Sequence, residues 1–156
     1  MKTVIIYFSR AGHTRKVANA LAEHLNADTA EITEQKKRNG MLGFIRSGRE
    51  SMANKIPEID PITANISDYD RVIIAAPIWA GNLSTPARAF LIKHKDQIKE
   101  AAFCITMNGK DSEKALATMK ELSGKTPIAT VALRAENIDD NSYLPELEAF
   151  VAKLNS

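Results

Sequence analysis

Two short stretches of the chain hold the residue types from which a ligand site could be built. Ser9-Arg10-Ala11-Gly12-His13-Thr14 sets two hydroxyls, an imidazole and a glycine after the apolar run Thr3 to Phe8 and before a stretch of helical periodicity from Thr14 to Leu25. A helix starting near Thr14 turns its free backbone amides, and the positive end of its dipole, toward that loop. Ser9 and Thr14 can add hydrogen bonds, and Gly12 permits a turn that a side chain would obstruct, so the loop has the chemistry of an anion cradle. The same residues also suit a plain helix cap with a glycine turn, and the loop alone leaves both readings open.

The second stretch, Pro77-Ile78-Trp79-Ala80-Gly81-Asn82, carries the chain's one tryptophan in what reads as a loop. Beside an anion cradle, an indole flanked by small residues looks like part of a site for a planar ring. The apolar bulk covers a face, while nearby amides are free to bond a heterocycle's edge. A core or lid tryptophan is the plainer alternative. A third loop, Asn108-Gly109-Lys110-Asp111, is likewise small and polar.

These loops need elements to bring them together. Five apolar, β-branched runs are strand candidates: Thr3 to Phe8, Thr29 to Thr33, Arg71 to Ala76, Ala102 to Met107 and Ile128 to Leu133. Their near-continuous hydrophobicity fits parallel strands covered on both faces. Helical stripes alternate with them: Val17, Leu21 and Leu25; Leu116, Met119 and Leu122; Leu147, Phe150, Val151 and Leu154. Pro86 suits the first turn of another helix, with Ser84 or Thr85 as its cap and Phe90 facing inward. Strand-helix alternation with right-handed crossovers implies a doubly wound parallel sheet of five strands, with helices on both faces. Its ligand crevice lies at the carboxyl ends of the strands, where the three loops meet. A length of 156 residues suits one domain over 1–156.

Several chemistries are excluded or disfavoured. The patterns G-x-x-x-x-G-K-[ST] and G-x-G-x-x-G are absent. A cysteine phosphatase would need its nucleophile in the first loop, but the only cysteine, Cys104, lies within the fourth strand candidate, where a thiol is usually inert. A receiver domain would need acidic residues where Ser9-Arg10 and Pro77-Ile78 stand. One cysteine rules out an internal disulfide framework, and no metal site is expected. The net charge of +2 gives no nucleic-acid footprint. With no apolar run long enough to span a bilayer and no signal-peptide pattern, a cytoplasmic protein with no membrane partner is the expectation.

The first two loops resemble those of the flavodoxin family, small proteins that bind flavin mononucleotide (FMN). Ser9, Gly12 and Thr14 match its [ST]-x-T-G-x-T phosphate loop, with Ala11 in place of the central threonine. Pro77-Ile78-Trp79-Ala80-Gly81 resembles the ring-binding loop P-[IV]-W-[AG]-G of short members. The resemblance implies the flavodoxin-like strand order 2-1-3-4-5, and that Ser9, Arg10, Ala11, Gly12, His13 and Thr14 surround the phosphate. It implies that Pro77, Ile78, Trp79, Ala80, Gly81 and Asn82 line the isoalloxazine, with Asn108 and Gly109 as contacts from the third loop. Many members stack a tyrosine there, whereas Tyr7, Tyr69 and Tyr143 lie elsewhere.

The family implies electron transfer through FMN, with redox partner proteins or a small electron acceptor; a small FMN-dependent NAD(P)H or quinone-type oxidoreductase is the alternative. No catalytic residue stands out, because flavin chemistry resides in the cofactor. His13 could serve as an acid or base, but an exposed loop histidine beside the phosphate is the simpler reading. Carriers of the family are usually strongly acidic, so a near-neutral chain should have a less negative second reduction potential. The oligomeric state is not written in the sequence.

One segment stands apart. From Glu34 to Lys55 there are six cations and two anions, so the segment is +4 and the remainder −2. A helix is expected around Leu42 to Met52. Its amphipathic pattern predicts that Leu42, Ile45 and Met52 pack on the sheet. A functional alternative has Phe44 or Met41 bordering the open face of the ring, with the cations attracting an acidic partner or anionic substrate.

Overall fold

Side chains along a strand alternate between the two faces of a sheet, and the central strands here send apolar groups to both. The computed structural model describes residues 1–35, 40–52 and 56–156, with the side chains of 51 and 52 left aside. In β1 (Thr3–Tyr7), Val4 and Ile6 enter one core cluster while Ile5 and Tyr7 enter the other. In β3 (Arg71–Trp79), Val72, Ile74 and Ala76 oppose Ile73 and Ala75 in the same way. In β5 (Glu100–Met107), Phe103 and Ile105 oppose Ala102 and Cys104.

With β2 (Asp28–Glu31) and β6 (Thr130–Arg134), these strands form a parallel sheet in the order β2-β1-β3-β5-β6, the predicted arrangement of five. Helix α1 (His13–Leu25), the short α5 (Ala135–Asp139) and α6 (Leu144–Leu154) cover one face through Val17, Leu21, Ile138, Leu147 and Phe150. Helices α3 (Thr85–His94) and α4 (Glu113–Ser123) cover the other through Ala87, Phe90, Ala115 and Met119. Among the described residues, no helix is long and apolar enough to cross a membrane.

The third strand departs from the sequence reading. It continues through Pro77 to Trp79, then doubles back as β4 (Asn82–Leu83), with Trp79 opposite Asn82 and Ile78 opposite Leu83. Proline donates no ladder hydrogen bond, which is why the apolar run seemed to end at Ala76. Here the Pro77 carbonyl accepts from the Ser84 amide at 3.0 Å, so the chain crosses the proline through its acceptor. Ala80 and Gly81 both have positive φ, 50° and 79°, as a two-residue type I′ hairpin requires. Trp79 therefore closes a strand rather than lying in a loop.

Helix α3 begins where Pro86 predicts, with Ser84 as N-cap. Its capping is by backbone alone: the Ser84 carbonyl accepts from the Arg88 amide at 3.1 Å, while Ser84 Oγ and Thr85 Oγ1 are buried without a partner among the described residues.

Helix α2 (Gly40–Met52) corrects a second expectation. It lies against β3, β4 and α3, yet Leu42 is 83% exposed and Ile45 49%, so neither packs on the sheet. The buried positions are Gly43 and Ser47, whose hydroxyl donates to the Gly43 carbonyl at 2.8 Å. The Met52 side chain, Lys36, Lys37, Arg38 and Lys55 lie outside the described residues.

Candidate functional site

Parallel strands place the carboxyl ends of β1, β3 and β5 on one edge, and the connections leaving them surround a cavity of about 460 Å³. That volume is ordinary for a cofactor-sized ligand. Of the first loop, Ser9, Arg10, Ala11, His13 and Thr14 line it. Gly12 stands behind: its amide donates to Ser9 Oγ at 3.1 Å, and its φ of 105° explains the glycine at the N-cap of α1. The Gly12 carbonyl accepts from Lys16 N at 3.0 Å. Among the described residues, the amides of His13, Thr14 and Arg15 have no protein acceptor, the usual state of a helix start. The positive end of a 13-residue helix thus faces the cavity.

Two further side chains of this loop, besides Ser9, are engaged with distant elements. Thr14 Oγ1 lies 2.8 Å from Thr106 Oγ1 in a buried hydroxyl pair that ties α1 to the end of β5. A hydroxyl donates once and accepts twice, so Thr14 can accept from Thr106 and still donate into the cavity. His13 Nε2 lies 2.8 Å from Asp139 Oδ1 of α5, so the ring is anchored to an exposed carboxylate.

The opposite wall comes from the end of β3 and its turn: Pro77, Ile78, Trp79, Ala80 and Gly81 all line the cavity. Trp79 is only 7% exposed and meets Phe8 edge to face, centroids 5.5 Å apart and planes at 83°. It is therefore both core residue and cavity wall. Asn82 does not reach the lining; its side-chain amide donates to the Ala80 carbonyl at 3.3 Å and braces the turn.

The third loop contributes Asn108 and Gly109, together with Lys110 and Asp111. Asp111 Oδ1 accepts from the Glu113 amide at 3.0 Å, capping the start of α4. Gly109 has no positive φ, and a Cβ there would meet no protein atom within 4 Å. Nothing in the backbone or the packing of the chain itself asks for glycine at that point of the lining. None of the three tyrosines lines the cavity.

Phe44, Ser47 and Gly48 of α2 close one side, with Thr106 and Met107 at the end of β5 and Ala135 beyond β6. Of the two α2 candidates, Phe44 borders the cavity and Met41 does not; Met41 is 79% exposed. The Arg10 guanidinium lies over the Phe44 ring, 5.2 Å from its centroid, linking the first loop to α2. Thr106 and Met107 were findable, since they end the strand before the third loop. Ser47 and Gly48 carry no sequence signal, being small residues within a helix.

The walls suit a flat, anionic ligand: an indole and aliphatic surface on one side, helix amides at one end, and Arg10 and Lys110 against Asp111 alone. Among the described residues no cluster fits a metal ion. Cys104 is fully buried beneath α1, where desolvation pushes its thiol from an ordinary value near 9.0 up to about 12, so no thiolate is available at neutral pH.

Comparison with known proteins agrees with this geometry. A crystal structure of a flavoprotein in complex with FMN from Lactobacillus acidophilus superposes with a TM-score of 0.72 at 23% identity, covering 89% of this chain and 97% of that one. Oxidised flavodoxin 1 from Bacillus cereus gives 0.53 at 20% identity, over 97% and 98% of the two chains. At these identities the likeness is one of fold. In sequence the chain is 25% identical over 124 residues to an NAD(P)H dehydrogenase (quinone) from Azorhizobium caulinodans; it aligns over 80% of its own length and spans 60% of that protein's. The family model described as a flavodoxin domain matches residues 49–150, a stretch that holds the Trp79 turn and the Asn108 loop. With sheet order, cavity position and family model in agreement, the chain belongs to the flavodoxin domain family.

Proposed function

We propose that the chain binds FMN in this cavity and works as a redox protein through it. The carrying observation is the cavity itself, which joins the start of α1 to the Trp79 turn and the Asn108-Gly109 loop in one space of fitting size. FMN supplies reversible electron transfer when bound. The amides of His13, Thr14 and Arg15, with the hydroxyls of Ser9 and Thr14, would hold the phosphate at the positive end of α1. Trp79 and Ile78 would cover the ring, and the backbone at Ala80, Gly81 and Asn108 would bond its edge. Gly109 would let that ring approach the backbone, and the apolar surface of Ile78, Trp79 and Met107 would exclude water from its face.

An absorption spectrum of the purified protein, before and after adding FMN, tests the reading. Bands near about 375 and 450 nm in the bound fraction are expected of any protein-held flavin. Absence of binding at micromolar FMN would overturn it. A Cβ at Gly109 meets no protein atom within 4 Å, so Gly109→Val should lower FMN affinity with little loss of stability; unchanged affinity would remove the ring from this loop.

Carrier and enzyme remain distinct. The likeness of fold to flavodoxin 1 from Bacillus cereus supports the first reading, a carrier serving partner proteins or a small acceptor. The likeness to an NAD(P)H dehydrogenase (quinone) supports the second reading, an FMN-dependent oxidoreductase. Stopped-flow mixing of the FMN-loaded protein with NADH or NADPH separates them: rapid bleaching without a partner protein supports the enzyme, and none supports the carrier.

A further inference from the structure

Helix α2 turns its apolar residues to solvent. Met41, Leu42, Phe44 and Ile45 are 79%, 83%, 58% and 49% exposed, and they fill little more than one turn. A cluster of large exposed apolar side chains on one side of a helix marks an interaction site. Among the described residues, cations stand beside it. Arg10 lies on Phe44, Arg46 and Arg49 follow on the helix, and the sequence from Glu34 to Lys55 totals +4. Glu50, the acidic residue of the helix, pairs with Arg46 at 3.1 Å.

We propose that α2 is a docking helix for an anionic membrane surface, lying in the headgroup layer with Leu42 and Ile45 pointing into the lipid. Apolar residues beside a basic rim on a short helix are what such an interface selects, and the affinity is a sum of buried apolar area and attraction to acidic headgroups. A second copy of the chain fits less well, because pairing two α2 ridges would bring two +4 segments together. A folded protein partner would need a groove shaped to these side chains, whereas fluid lipid accepts any convex arrangement. The expectation of no membrane partner rested on the lack of a spanning segment, and a helix lying in the interface needs none. Because Phe44 belongs to both the ridge and the cavity lining, docking brings the mouth of the cavity to the membrane.

Sedimentation with vesicles tests this, read from the protein itself and therefore independently of FMN binding. Vesicles of equal parts phosphatidylglycerol and phosphatidylcholine should carry the protein down at low salt, at least about tenfold better than phosphatidylcholine alone, and salt should release it. The double variant Leu42→Ser, Ile45→Ser, whose positions are exposed, should keep its circular dichroism and lose about tenfold in vesicle binding. Failure of the wild-type chain to sediment with anionic vesicles overturns the proposal. So does equal sedimentation of the double variant, or light scattering that shows a dimer which the same two changes dissolve.

Discussion

Helices α1 and α2 have the same length, 13 residues each, and each has a polar and an apolar side, yet the chain uses them in opposite senses. Helix α1 buries Val17, Ala18 and Leu21 in the core and leaves Arg15 and Lys16 outside. Helix α2 buries Gly43 and Ser47 and leaves Met41, Leu42, Phe44 and Ile45 outside. Amphipathicity establishes that a helix has two sides; the neighbours decide which side is covered. Where α1 crosses β1 and β3 there is room for branched side chains. Where α2 meets β3, β4 and α3, glycine and serine bring its backbone close instead.

The strongest test compares the two aromatic walls of the cavity, one in the core and one on α2. Trp79→Ala should cost about 3–5 kcal/mol in urea denaturation and loosen FMN as well, since Trp79 packs on Phe8. Phe44→Ala should stay within about 0.5 kcal/mol of wild type, because Phe44 is more than half exposed. Comparable losses at both sites would mean that α2 is packed as tightly as the core.

Leucines on the two helices come next. Leu21→Ala should cost about 3 kcal/mol, and Leu42→Ala should be close to neutral. The reverse experiment enlarges the covered side of α2: Ser47→Leu should destabilise by about 1–3 kcal/mol, with thermal melting as readout. A neutral Ser47→Leu would show that α2 sits loosely.

The smallest effect is electrostatic and belongs to the α1 side. Cys104 keeps its proton up to about 12 when folded and releases it near 9.0 when unfolded. The folded state thus holds the extra proton between those values, and this contribution to stability is lost as pH rises above about 9. Compared with Cys104→Ala, the wild-type chain should lose about 1 kcal/mol more on going from pH 8 to pH 10. The thiol should also resist alkylation in the native protein at pH 8, and rapid labelling would contradict its burial.

Much of this was legible beforehand. The strand runs at Val4 to Ile6 and Val72 to Ala76 gave the central strands, because a parallel strand covered on both faces must be apolar throughout. The phosphate-loop pattern and the Pro77 to Gly81 stretch marked two walls of one cavity. The hairpin after Trp79 was harder to see, because Pro77 reads as the end of a strand and Ala80 is an uncommon residue at positive φ. The role of Thr14 was only half visible, since its hydroxyl partner stands 92 residues away.

The sequence by itself determined the five parallel strands, most of the helices between them and the edge where the loops gather. Those follow from local periodicity, chain direction and the handedness of crossovers, all carried by residues near one another in the chain. Tertiary structure alone decided that Trp79 is shared between core and cavity, that Thr14 leans on Thr106, and that α2 faces its apolar ridge outward. Each of these depends on which distant surface a side chain meets. That is a property of packing, and no local pattern encodes it.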